Sequence, residues 1–246
     1  MRKFRLVISI IFLGICIAIA DQSNNFEALL RAYDDLKASY PAQFDLDNSL
    51  LAELTESQDR EISFEHFVEL QRKVMLENPA LDFENILFVK RKSKNGDAGL
   101  PQNWQGNSSL NPNNYKDTLC KLNLKDGTTE NIFRADYPTF IGDVDLHFDA
   151  EKMLFSMADE AGRWGVYELE LGGTNPTLLP LITEKEVHNY DACYLPDGSV
   201  IFSSTAPITG VPCVQGGSHI TNLYLWKNES ESIRRLTFEQ DHNWCP

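Results

Sequence analysis

The feature that most restricts what this chain can fold into is a recurrence in its last third. Residues 188–198 read HNYDACYLPDG and residues 241–246 read DHNWCP, so His188-Asn189-Tyr190 returns 54 positions later as His242-Asn243-Trp244. A related recurrence places KMLF at 152–155 on SVIF at 199–202, an offset of 47. Downstream of each, VYELELGGTNPTLLPLIT (166–183) lines up with LYLWKNESESIRRLTF (223–238): a strand, a polar turn and a second strand. A period of roughly 40 to 55 residues holding about four short strands is what a β-propeller blade requires. Such a small twisted sheet buries its two faces only against neighbours arranged around an axis.

The local patterns agree with that scale. ENILFVKR (84–91), LCKLNL (119–124), EKMLFSM (151–157), GVYELEL (165–171), SVIFSS (199–204) and NLYLWK (222–227) are short runs rich in β-branched and aromatic residues. Asp126-Gly127, Gly172-Gly173, Pro196-Asp197-Gly198 and Gly216-Gly217 punctuate them as turns. Before Asn78-Pro79 the period is helical instead: Phe26, Leu29, Leu30, Tyr33 and Leu36 recur at three and four, as do Phe64, Phe67, Val68, Leu70 and Val74, with NSLLAELTESQ between them. The expected fold is therefore mainly β, a partial β-propeller of four-stranded blades over 79–246, preceded by a helical segment over 21–78. His66, alone on its helix, reads as a partly exposed residue rather than a ligand. Two units are complete, one around ENILFVKR is degenerate, and Pro246 falls in the first strand of another. The expectation is an N-terminal fragment, its array completed by further blades or by a protein partner that covers an open sheet edge.

Residues 1–20, MRKFRLVISIIFLGICIAIA, have a basic head, an apolar run and Ala18-Ile19-Ala20 before Asp21, which is the form of an export signal. The apolar run falls short of the roughly 20 residues of a spanning helix. A periplasmic or secreted location follows, with no membrane attachment once the signal is removed; Cys16 goes with the discarded segment. Export places Cys120, Cys193, Cys213 and Cys245 in an oxidising compartment, where disulfides are the expected state. Four cysteines allow three complete pairings. Cys193 and Cys213, which flank one strand and its following loop, are the first candidates.

An excess of 36 acidic over 22 basic residues, a formal charge of −14, repels phosphate backbones and excludes nucleic acid as an expected partner. The chain has no Cys-x-x-Cys-His haem attachment site, no zinc-ribbon cysteine pair, no Gly-x-Ser-x-Gly elbow and no phosphate loop. No cofactor is expected to be held by this chain, apart from a divalent metal at the cluster described next.

His188, Asn189 and Asp191 stand where a blade's first strand begins, and His242 and Asn243 repeat the first two. Inner strands of a propeller face a central channel, so equivalent residues of successive blades converge on one axis. Two imidazoles, a carboxylate and two carboxamides suit a divalent metal or a polar ligand. The competing reading is that these repeated polar groups tie strands and loops together by hydrogen bonds. Asp143, Asp145 and His147 in IGDVDLHFD hold the comparable place one blade earlier, and strict alternation puts all three on one face. His219, in the Gly-rich loop QGGSH, reads as solvent-exposed, and Trp104, among amides in LPQNWQGNSSL, as a core plug.

Three stretches, LPQNWQGNSSL (100–110), HNYDACYLPDGSVIFSSTAPITGVPCVQGGSHITNLY (188–224) and RRLTFEQDHNWCP (234–246), together resemble the exported proteins that share the propeller-like middle domain of the hydrazine synthase alpha subunit. The resemblance covers roughly residues 78–246, and PDGSVIFSS with IRRLTF is similar to the broader WD-like repeats of periplasmic propellers. It implies an exported binding or scaffold module. Hydrazine synthase joins ammonia to nitric oxide at c-type haems outside its propeller, so the alternatives are a haem-dependent oxidoreductase subunit whose haem domain lies outside this chain, or a metal-assisted polysaccharide-processing propeller using His188 and His242.

Overall fold

The computed structural model describes residues 22–44, 46, 48–58, 62–92, 106–212 and 216–246. The export signal over 1–20, Trp104 and Cys213 lie outside the described residues. The chain divides into two compact units, one helical and one built of sheets.

The helical unit holds α1 (Gln22–Ser39), α2 (Asn48–Gln58) and α3 (Phe64–Leu76). Phe26, Leu29 and Leu36 of α1 are buried with Leu50 and Leu54 of α2 and with Phe67, Leu70 and Val74 of α3, and Phe26 meets Phe67 edge-on at 5.0 Å. Ser63 caps α3, its hydroxyl accepting from the His66 backbone N–H at 3.2 Å, which satisfies one of the free amides of the first turn. The buried stripe of α3 is narrower than the sequence pattern: Phe64 and Val68 are 41% and 42% exposed. Phe64 opens the helix, and Val68 lies beside the 67-70-74 row rather than on it. His66 lies 3.5 Å from Glu53 on the half-exposed side.

The β unit is three antiparallel meanders in chain order. β1 (Asn85–Lys90), β2 (Thr118–Asn123) and β3 (Thr129–Phe133) make a three-stranded sheet. β4 (Ile141–Leu146), β5 (Lys152–Ala158), β6 (Trp164–Glu170) and β7 (Thr177–Leu178) make the second, and β8 (Asn189–Tyr194), β9 (Val200–Ser204), β10 (Asn222–Lys227) and β11 (Ser232–Arg235) the third. Between β8 and β9 the chain reverses at Pro196-Asp197-Gly198, where the Gly198 N–H donates to the Leu195 carbonyl at 2.9 Å. Gly198 adopts φ 79, a conformation open to glycine without steric cost.

The sheets stack face on face. Met153, Phe155, Met157 and Leu169 of the second sheet are buried with Leu87 and Leu119 of the first. From the opposite face, Leu154 and Val166 are buried with Ala192, Tyr194, Val200, Phe202, Tyr224 and Trp226 of the third. This explains why β5 is buried at every position from Met153 to Ala158: alternate side chains enter two different cores, so the run reads as continuously apolar rather than alternating. Phe155 stacks on Tyr167 at 5.7 Å and Phe202 on Tyr224 at 5.7 Å, so the sequence recurrence is also a recurrence of packing. Four-stranded meanders in which each sheet is the neighbour of the next are propeller blades. The fold is mainly β, an incomplete propeller of two full blades and a three-stranded first one, preceded by the helical segment.

Candidate functional site

Each full blade carries one defect in its inner strand, at the same place. The ladder of β4 with β5 slips between Gly142 and Asp145, and that of β8 with β9 between Tyr190 and Ala192. At both slips an aspartate has left-handed backbone: Asp143 at φ 50 and Asp191 at φ 52. Cys245, in the corresponding place of the next repeat, has φ 56. For a residue with a Cβ this conformation is unfavourable by roughly 1 kcal/mol or more, Asp being among the more tolerant, and such bulges serve to re-aim a side chain.

Hydrogen bonds tie both bulges to neighbouring elements. The Asp143 carboxylate accepts from Asn107 Nδ2 at 2.5 Å. Ser156 Oγ of β5 accepts from the Asp191 backbone N–H of β8 at 2.8 Å, so one fully buried hydroxyl joins the two blades. The Asp191 carboxylate in turn accepts from the Cys245 backbone N–H. Both aspartates are half-buried. Burial pushes the Asp143 carboxyl up to about 6, with the Asp191 charge adding to the rise and the nearby Ser156 hydroxyl and the Asn107 hydrogen bond opposing it. Asp191 is also raised, by burial, against the opposing hydrogen bond from Cys245.

Tyr190 and Trp244 complete the surroundings. Tyr190 is 1% exposed, and its hydroxyl makes no hydrogen bond among the described residues. Ser108 and Thr221 lie near enough to favour the phenolate slightly, but neither completes a bond. The phenol pKa is raised by burial and, more weakly, by the charges of Asp143 and Asp191. Gly106, at φ 67, has space for no Cβ: the position is taken by the Tyr190 hydroxyl and the Trp244 ring. A glycine there lets the loop carrying Asn107 approach both.

The residues singled out in the sequence divide between two places. Asp191 lies with Asp143 in this cluster. His188 uses Nδ1 to accept from the Trp164 N–H of the preceding blade at 3.1 Å, and His242 accepts from the Thr221 N–H at 3.1 Å in the same way one repeat later. Burial holds His188 below its ordinary pKa, with the nearby His219 adding to the effect, which keeps the acceptor nitrogen unprotonated. Asn189 donates to the Ile182 carbonyl at 2.8 Å and lines a small cavity of about 40 Å³, while the Asn243 backbone N–H donates to the Thr221 carbonyl at 2.8 Å. Asp117 does comparable work between the first and second blades: its carboxylate accepts from Arg91 and from the Ile141 N–H, both at 3.0 Å.

One expectation is corrected. The bulge interrupts the alternation of Asp143, Asp145 and His147. Asp145 pairs with Leu154 in the ladder and accepts from the Tyr194 N–H at 2.9 Å, and His147 lies 2.7 Å from Asp149, so neither shares the surroundings of Asp143. The candidate Cys193–Cys213 pair reaches outside the described residues, since Cys213 is not among them; Cys120, Cys193 and Cys245 are free thiols. Cys193 pairs with Ile201 in the ladder, and its thiol lies in the field of Asp145 and Asp191. Asn107, Ser156 and Tyr190 were missed as site residues. The signal available was the spacing of Asp143 to Asp191, 48 residues, close to the strand offset. Among the described residues no group of three or more His, Cys, Asp or Glu is placed to hold a metal ion, and no helix is long and apolar enough to cross a membrane.

No family model matches the chain, and no curated protein sequence matches it. Solved structures similar to it are of β-propeller proteins. TolB from Acinetobacter baumannii is 14% identical with a TM-score of 0.39, the match covering 69% of this chain and 61% of that one. An oligogalacturonate lyase in complex with manganese is 16% identical with a TM-score of 0.41, covering 63% and 39%. A Mycobacterium tuberculosis puromycin-hydrolyzing peptidase is 16% identical with a TM-score of 0.37, covering 51% and 18%. The chain spans less than two thirds of the length of each of these three. The blade assignment stands on this chain's own strand order and packing.

Proposed function

We propose that this chain is an exported β-propeller binding module whose ligand-facing groups are Asp143 and Asp191, and that further blades, from the same polypeptide or from a partner, complete the array. The supporting observation is the matched pair of left-handed bulges at Asp143 and Asp191, with the Asp191 N–H bonded across the blade boundary to Ser156. Blade packing does not require this. A sheet selected only to stack gains by avoiding both the unfavourable backbone and the like charges, and strained backbone with perturbed carboxyls is the usual mark of a functional position. The basic and apolar character of residues 1–20 supports export. Kinship with the middle domain of the hydrazine synthase alpha subunit belongs to the same proposal and rests on the three quoted stretches. It carries no haem chemistry into this chain, because function follows the site and not the fold.

The test is a thermal-shift screen of the full chain against amines, neutral sugars, carboxylic acids and divalent cations, repeated on Asp143→Asn and Asp191→Asn. A compound that stabilises the wild type and neither variant supports the reading. Stabilisation that persists undiminished in both variants, or a screen in which no compound moves the Asp143 and Asp191 carboxyl resonances, overturns it.

A further inference from the structure

The first sheet is one strand short of a blade, and its register shows which strand is missing. One ladder step recurs in all three sheets: Leu87 faces Lys121, Leu154 faces Glu168 and Ile201 faces Leu225. The next step repeats too, with Phe88, Phe155 and Phe202 facing Cys120, Tyr167 and Tyr224. β1, β2 and β3 therefore correspond to the second, third and fourth strands of a full blade, and the inner strand is absent from this sheet. Antiparallel pairing sends the backbone groups of successive residues to alternate sides. Glu84 and Lys92 turn their carbonyls toward β2, accepting from the Leu124 and Lys116 N–H groups, so the N–H and C=O of Leu87 and Val89 point to the opposite, inner edge. No strand among the described residues pairs with that edge. Burial agrees: Phe88 and Val89 are half-buried and Lys90 exposed, where Phe155, Ser156 and Met157 at the same steps of β5 are buried.

The other end of the array carries the complement. Asn243, Trp244 and Cys245 stand where an inner strand begins, because His242 accepts from the Thr221 N–H at 3.1 Å as His188 does from the Trp164 N–H, and the Asn243 N–H donates to the Thr221 carbonyl at 2.8 Å. These three residues belong to no ladder among the described residues. We infer that a second copy of this chain supplies the missing strand: residues 243–245 of one copy add to the inner edge of β1 of the other, and the junction is made twice to close a ring. This rests on the reading that blades from outside complete the array, and it names their source. Ring size selects the number of copies. Each chain holds two full blades and the two parts of a third, which falls short of the four to eight blades of a closed propeller; two copies give six, and three copies exceed the range. A head-to-tail contact of this kind ends in a closed ring rather than a filament when its rotation closes. The register follows from the third sheet, where Asn189 faces Ser204 and Tyr190 faces Ser203. The same steps set Asn243 opposite Lys90 and Trp244 opposite Val89.

Sedimentation of the full chain over a concentration series is expected to show twice the monomer mass. Val89→Pro removes an N–H that points to the inner edge and none that bonds β2, and is expected to halve that mass. Hydrogen exchange is expected to be slow at Leu87 and Val89 in the dimer, and at least about tenfold faster at Leu87 in Val89→Pro. Lys90→Cys and Asn243→Cys chains, each also carrying Cys245→Ser, are expected to cross-link on oxidation only when mixed, since a facing pair of this type has Cα atoms about 4.5 Å apart, within disulfide range. If Val89→Pro fails to fold, the cross-link and the wild-type exchange decide. A dimer unchanged by Val89→Pro and giving no cross-link overturns this junction. A monomeric wild type with fast exchange at Leu87 and Val89 overturns the second copy as the source and keeps the reading that other blades complete the array. A monomer with both amides protected shows the edge already covered within the chain, and overturns both.

Discussion

Replacing Asp143 by Asn should make the protein more stable at pH 8 and less so, or no more so, at pH 4. The carboxyl is pushed up to about 6 from an ordinary 3.8. Two units at about 1.36 kcal/mol each amount to at most about 3 kcal/mol of destabilisation once the group is ionised. The sign follows from where the proton sits. The folded state holds the Asp143 proton more tightly than the unfolded chain, so this group's contribution is fully present below pH 3.8 and is lost as the pH rises through 6. Asn keeps the size and an acceptor oxygen for Asn107 but not the charge-assisted bond, a loss of about 1.5 kcal/mol. The net gain at pH 8 is about 1–2 kcal/mol, or roughly 2–8 °C in melting temperature for a chain of this length. Urea denaturation of both proteins at pH 4, 6 and 8 reads this directly. A variant that is less stable by the same amount at every pH would show that the Asp143 charge carries no penalty, and the reasoning would fail.

Other outcomes are expected from the same contacts. His188→Ala should destabilise by about 1–3 kcal/mol, because the buried Trp164 N–H loses its acceptor, and in the wild type this contribution is full above 6.5 and lost as the pH falls below it toward the lowered pKa of the folded imidazole; denaturation at pH 8 and pH 5 checks both. Cys245 is exposed as a residue, yet burial of its thiol and the neighbouring Asp191 push its pKa up to about 11, so iodoacetamide at pH 8 should label it slowly and Asp191→Asn should quicken the labelling. Phe202→Ala should cost about 3–5 kcal/mol, because Phe202 is fully buried and stacked on Tyr224 between the second and third blades; a loss under 1 kcal/mol would contradict that packing.

The blade architecture was legible because the stacking residues recur. Phe155 and Phe202 hold the same place in their sheets, and the strands around them align at a fixed offset. β3 and β4 were harder to see. β3 is exposed over its first three residues and only half-buried at Ile132-Phe133, while β4 begins with Ile141-Gly142 where its counterpart β8 begins with Asn189-Tyr190, so the two inner strands share almost no letters. The site was only partly legible for a related reason. His188 and His242 are the conspicuous repeat, and the structure engages each with a backbone amide of the blade before it. The aspartates repeat one step further on, at bulges that a rule of strict alternation does not anticipate. Asn107 comes from a loop more than 30 residues before Asp143, and its arrival depends on how the blades stack.

The most direct test of the central claim, that neighbouring blades bring their inner-strand carboxylates together, is the 13C titration of the Asp143 carboxyl in the wild type and in Asp191→Asn. The expected midpoint is near 6 and falls when the Asp191 charge is removed, stopping above 3.8 because burial persists. A midpoint that is the same in both proteins would contradict it.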